Sequence, residues 1–236
     1  MSTCPPRSIA GQPSSWAGVG AANARSNHSF VCCENASSGA TSPAYRSDDY
    51  DPIVPEALHF TASDEANQLI ATDPLALLVG FALDQQVPVQ AAFAGPLKLQ
   101  QRLGTLDAAE IAATDPARLE EVFRERPAIH RFPANMARRV QELCAFVVER
   151  YAGDASRLWR EAADADDLAH RIGELPGFGE MKVKALGSVL AKRFGVQVAE
   201  ALVPEHPTLG DVDSAEALAW YQAEKRAHRS AGHGQV

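Results

Sequence analysis

The sequence predicts an all-α fold, on three observations. Apolar residues from Leu58 onward recur at spacings of three and four, and no stretch alternates as a half-buried strand would. Ser-Asp, Asp-Pro and Gly signals punctuate the pattern where helices start and stop. With 236 residues, 46% of them apolar, the chain is long enough for a substantial core.

Residues 1–53 are rich in Ser, Ala, Gly, Asn and Pro and carry no sustained periodicity, so they are expected to form a disordered extension. Pro5, Pro6 and Pro13 would break the amphipathic helix of a transit peptide. The ordered protein is expected to begin near Val54, since a bacterial valine codon can serve as a start. Ser63 with Asp64 and Glu65 caps a first helix running to Thr72. Asp73-Pro74 starts a second through Leu83, and Pro88 opens a third, with Phe93, Leu97, Leu99 and Leu103 apolar and Gly104 as its stop.

Short helices are expected from Asp107 to Ala113 and from Asp115 to Phe123. A long helix follows from Pro133, where Met136, Val140, Leu143, Val147 and Tyr151 form a buried stripe up to Gly153. Leu158 and Trp159 mark a short helix, and Leu168 and Ile172 a further one. Val183, Leu186, Val189 and Leu190 give the next its apolar face. After Gly195, the residues Pro204, Pro207 and Gly210 predict a loop crossing the surface. A last helix from about Ser214 to Ala227 closes one helical domain, 54–228, ahead of a flexible tail, 229–236.

The net charge of -8 argues against diffuse polycationic binding to nucleic acid, so any such contact needs a local patch and backbone donors. Arg124, Arg126, Arg131, Arg138 and Arg139 against Glu125 supply such a patch, with His130 in addition. A solvated helix face would carry the same charges. Cys4, Cys32, Cys33 and Cys144 have no spacing suited to zinc or an iron-sulfur cluster, and no cofactor is expected. Cys144 reads as a buried free thiol in a reducing compartment. No apolar run reaches the roughly 20 residues that cross a bilayer, so no membrane partner is expected and the cytoplasm is the expected location.

Leu175-Pro176-Gly177-Phe178-Gly179, followed by Glu180-Met181-Lys182-Val183-Lys184, reads as a helix-hairpin-helix. Gly177 and Gly179 let the backbone turn sharply and leave amides uncovered at a helix N-terminus. That arrangement is a phosphate cradle, which points to DNA. Together with Leu83-Asp84-Gln85-Gln86-Val87, the hairpin resembles the helix-hairpin-helix (HhH-GPD) glycosylase superfamily of base-excision repair, and in particular a bacterial branch related to endonuclease III.

The resemblance spans roughly Leu58 to Gly195. It implies a helical DNA glycosylase-like fold and a monomer acting on double-stranded DNA that contains a damaged or mispaired base, in a bacterial nucleoid. Gly177, Phe178, Gly179, Lys182 and Lys184 are then the residues near phosphate. Gln85 and Gln86 stand where a wedge would fill the gap left by an extruded nucleotide, against a plain reading as solvent-facing glutamines at a helix end. Lyase members carry a lysine two places after the second hairpin glycine; Met181 stands there, which implies a monofunctional enzyme.

Lys182 is one place later, turned by roughly 100°, and reads as lying near phosphate or in solvent. The aspartate that holds charge on the departing sugar is missing at its usual distance, where Glu200 lies. Asp211 and Asp213 are the other catalytic candidates, Asp213 having a competing reading as a helix cap. His206 reads as neither base nor metal ligand. A non-catalytic DNA-binding protein that keeps the hairpin is the alternative.

Overall fold

The computed structural model describes residues 54–232, with side chains through Arg226. The expected disordered extension, residues 1–53, lies outside the described residues, as do residues 233–236 of the tail. Among the described residues the secondary structure is entirely helical: eleven α-helices and two 3-10 helices.

Local signals build most of it. Helix α1 (Asp64–Thr72) is capped by Ser63, whose hydroxyl accepts from the Ala66 amide at 3.3 Å. Helix α2 (Pro74–Leu83) is capped by Asp73, which accepts from Leu75 and Ala76. Asp107 and Asp115 cap α5 (Ala108–Ala113) and α6 (Pro116–Arg124) in the same way. Each such cap satisfies amides that the helix cannot, worth about 1 kcal/mol. Every residue of α2 from Leu75 to Leu83 is buried, so it is the central strut of the domain rather than an amphipathic surface helix.

The helix expected after Pro88 is two. Helix α3 (Val89–Phe93) ends at Ala94, and α4 (Gly95–Leu103) restarts at Pro96, whose ring cannot continue the hydrogen-bond ladder. The long α7 (Pro133–Tyr151) buries Met136, Val140, Leu143, Cys144, Val147 and Tyr151, and Cys144 is a free thiol that burial pushes up to about 12. The short α8 (Arg157–Arg160) leads into α9 (Ala165–Glu174), the hairpin and α10 (Glu180–Phe194).

The segment after Gly195 crosses the surface at Glu205, His206 and Pro207, as expected, but is not all loop. It folds as 3-10 helices Gln197–Leu202 and Leu209–Asp211 packed against α10, with Val196, Ala199, Leu209 and Val212 buried. The approach is close. A Cβ on Gly187 would stand 2.7 Å from Leu202, and one on Gly210 would stand 2.4 Å from the Ser188 carbonyl. Helix α11 (Ala215–Gly232) runs beyond the expected Ala227, so residues 229–232 of the expected flexible tail are helical. No single helix among the described residues is long and apolar enough to cross a membrane.

Candidate nucleic-acid interface and active site

Gly177 is what lets the hairpin turn. Its φ of 80° lies in the left-handed region, and a Cβ there would stand 2.8 Å from the Cδ and Nε of Arg139. Gly179 sits at the start of α10, and no side chain caps that helix. The amides of Gly177, Gly179, Glu180 and Met181 therefore find no acceptor among the described residues. They lie at the positive end of a 15-residue helix dipole, where uncovered donors favour an anion. Phe178, expected to face DNA, is instead buried, and its amide donates to Leu175 at 3.0 Å. It braces the turn from inside.

The two glutamines divide their roles. Helix α2 ends at Leu83, and Gln86 takes a φ of 56°, a left-handed conformation that costs a non-glycine residue roughly 1–2 kcal/mol. Gln86 is exposed, whereas Gln85 is half-buried and held at both ends. Its backbone carbonyl lies 3.0 Å from His130 Nε2, and its side-chain Oε1 accepts from Arg139 Nη1. His130 Nδ1 accepts from the Phe132 amide at 3.1 Å, so Nε2 carries the proton that is donated to Gln85.

This use of His130 corrects its expected place in a basic patch. The ring is only 3% exposed, and burial first, with Arg131 and Arg139 nearby, holds its pKa below the usual 6.5 despite the opposing hydrogen bond to Gln85. Since the unfolded chain binds that proton more readily, stability is full above about pH 6.5 and falls as the pH drops below it. Urea unfolding at pH 7.5 and pH 5.5 is expected to show this loss, and His130→Gln is expected to shrink it. Arg124 and Arg138 are also not free for a patch, being paired with Glu120 and Glu142.

Phe132 is a residue that sequence reasoning missed. It is 39% exposed beside Gln85 and Gln86 in an open depression of about 350 Å³, and the Arg131 guanidinium lies 4.7 Å from its ring centroid. The available signal was an aromatic placed immediately before the Pro that opens α7. An exposed aromatic next to a polar wedge can stack on a base, a contact worth about 1–3 kcal/mol in single-stranded complexes.

Lys182 does not lie free in solvent. It is half-buried, with Nζ donating to the Ala82 carbonyl at the end of α2 at 3.3 Å and lying 5.1 Å from the Phe178 ring centroid. Burial is the main reason its pKa is lowered to about 8; Asp84 opposes the shift and Arg139 adds to it. Lys184 lies on the charged face, paired with Glu180 at 2.8 Å. Met181 is 73% exposed and lines a cavity of about 530 Å³ with Pro204, His206, Pro207, Thr208 and Tyr221.

The three carboxylate candidates are not equivalent. Asp211 is engaged: it accepts from Lys192 Nζ at 2.6 Å, from the Thr208 amide at 2.8 Å and from the Thr208 hydroxyl at 3.1 Å, closing a capping box. Burial alone would raise its pKa, but these hydrogen bonds outweigh it and hold the carboxyl below the usual range. Glu200 is exposed on a 3-10 helix. Asp213 is exposed and accepts no hydrogen bond from the described residues. Ser214, not Asp213, caps α11, its hydroxyl accepting from the Ala217 amide at 3.1 Å. No hydrogen bond or ion pair among the described residues joins any of the three to the hairpin or the glutamines.

The uncovered hairpin amides and the held Gln85 both lie against Arg139, and the comparison with known families is decisive. The sequence profile of the HhH-GPD superfamily base excision DNA repair proteins matches residues 79–229. The chain belongs to this family. No curated protein and no solved structure matches it significantly. Within the HhH-GPD superfamily frame the match opens in α2, ahead of the glutamines, and closes in α11, so it takes in the hairpin and all three carboxylates. Membership places the chain among base-excision repair proteins and implies DNA binding.

Proposed function

We propose that the protein is a monofunctional DNA glycosylase that acts as a monomer, in the bacterial cytoplasm, on duplex DNA holding a damaged or mispaired base. The observation that carries this reading is the presence of free hairpin amides together with Gln85 and Gln86 at the end of a buried helix. The amides of Gly177, Gly179, Glu180 and Met181 hold a phosphate without reading sequence. Gln85 and Gln86, with Phe132 beside them, fill the stack when a nucleotide leaves it, offsetting an unstacking cost of a few kcal/mol.

The cavity beside Met181 offers the extruded base an apolar wall, with Thr208 and His206 as polar partners. Asp213 is the carboxylate that stabilises positive charge on the deoxyribose as the base departs, and water completes the hydrolysis. The test is a panel of duplexes, each with a single uracil, oxidised, alkylated or mismatched base. Release of a free base from at least one is expected; release from none leaves a non-catalytic DNA-binding protein.

A second reading is favoured by the half-buried Lys182. An amine with a pKa of about 8 is unprotonated often enough near neutral pH to attack a sugar carbon, which would add a lyase step. Borohydride reduction on abasic DNA separates the two. The monofunctional enzyme is expected to leave no covalent adduct, and an adduct mapped to Lys182 would establish the lyase.

A further inference from the structure

Arg139 touches both DNA-facing pieces of the molecule. From α7 it lays its side chain over Gly177, in the space a Cβ would fill, and donates Nη1 to the Oε1 of Gln85. No carboxylate lies within ion-pair distance of it among the described residues, whereas its neighbour Arg138 is paired with Glu142. Its remaining N–H donors find no acceptor among the described residues. A guanidinium is always charged and its planar fork matches a phosphate, and this one, bound only by a neutral amide, has no counter-charge paired with it among the described residues.

We infer that Arg139 is a partner-exchange clamp: the Gln85 amide holds it in the free protein, and it takes a DNA phosphate when Gln85 enters the duplex. The exchange rests on the proposed wedge role of Gln85. Insertion must break the bond from Arg139 to Oε1, which frees the guanidinium beside the outward amides of the hairpin. Its charge then joins the phosphate cradle only once the stack is opened. The intact duplex is held by the amides and the helix dipole, and the opened one by these and an additional cation. Gly177 is part of the device, because any side chain there would displace Arg139 from its resting place.

Salt dependence of binding reads this directly, since each phosphate neutralised by a side chain steepens the slope of log affinity against log salt by about 0.9. Fluorescence anisotropy is measured with an intact duplex and with one carrying a tetrahydrofuran abasic analogue. The full chain is used as wild type, Arg139→Ala and Gln85→Ala. Wild type is expected to show a slope steeper by about 0.9 on the abasic duplex.

In Arg139→Ala the two slopes are expected to coincide. In Gln85→Ala, where the guanidinium is already released, they are expected to coincide at the steeper value. If the slope difference survives Arg139→Ala while wild type still prefers the abasic duplex, the exchange is wrong and the wedge reading stands. If wild type binds both duplexes alike with equal slopes, the wedge reading falls and the exchange with it. Should Arg139→Ala not fold, Gln85→Ala decides: a shallow slope on its intact duplex overturns the exchange.

Discussion

Asp213→Asn is expected to cut base release by about 10²–10³-fold while leaving the protein folded, because it deletes the charge proposed to face the departing sugar and almost no volume. Asp213 has no structural duty to lose. It is exposed, it accepts no hydrogen bond from the described residues, and the cap of α11 is supplied by Ser214. Asp211→Asn should behave in the opposite way. Its carboxylate closes the capping box with Thr208 and pairs with Lys192, so its loss is expected to cost about 1 kcal/mol of stability and little catalysis. Single-turnover base release beside urea unfolding, for both variants, separates the two roles. Loss of turnover in Asp211→Asn with a normal unfolding midpoint would reverse the assignment.

Phe93→Ala is expected to destabilise the domain by about 3–5 kcal/mol, a large share of the roughly 5–15 kcal/mol that holds a domain folded. The ring is fully buried and meets Phe60 and Phe81 edge-on, with centroids 4.9 and 5.1 Å away. It also fills the groove left by Gly80, where a Cβ would stand 2.5 Å from Phe93 Cδ1. Truncation therefore opens a cavity against α2 that its neighbours cannot close by a rotamer change. Phe93→Leu, which keeps most of the volume, is expected to recover more than half of the loss. A urea midpoint for Phe93→Ala within experimental error of wild type would show that the site collapses freely.

The helices were legible because their causes are local. Ser63, Asp73, Asp107 and Asp115 announce themselves beside the amides they cap, and the stripe of α7 lies on one face by spacing alone. The segment after Gly195 was not legible. Its buried residues Val196, Ala199, Leu209 and Val212 are too widely spaced for a period, and what packs them is the absence of side chains at Gly187 and Gly210 on contact with α10 and its partners.

The site divides the same way. Gly177 and Gly179 were readable as a turn, and Gln85 and Gln86 as the end of a helix. The hydrogen bonds that hold Gln85 come from His130 and Arg139, 45 and 54 residues away, and side chains so distant leave no trace in local pattern. The burial of Lys182 was hidden for a related reason. Its spacing gave its direction around α10, but only packing shows that this direction leads to the carbonyl of Ala82.

The burial of α2 on every side has a mechanical meaning. A punch that drives into a stacked duplex delivers its force only if its backing yields less than the stack does, and a helix with one face in solvent could tilt or slide under that load. Helix α2 has no such free face from Leu75 to Leu83, so in the proposed insertion the load on Gln85 and Gln86 passes into close-packed interior of low compressibility. Compliance is thereby left to the DNA.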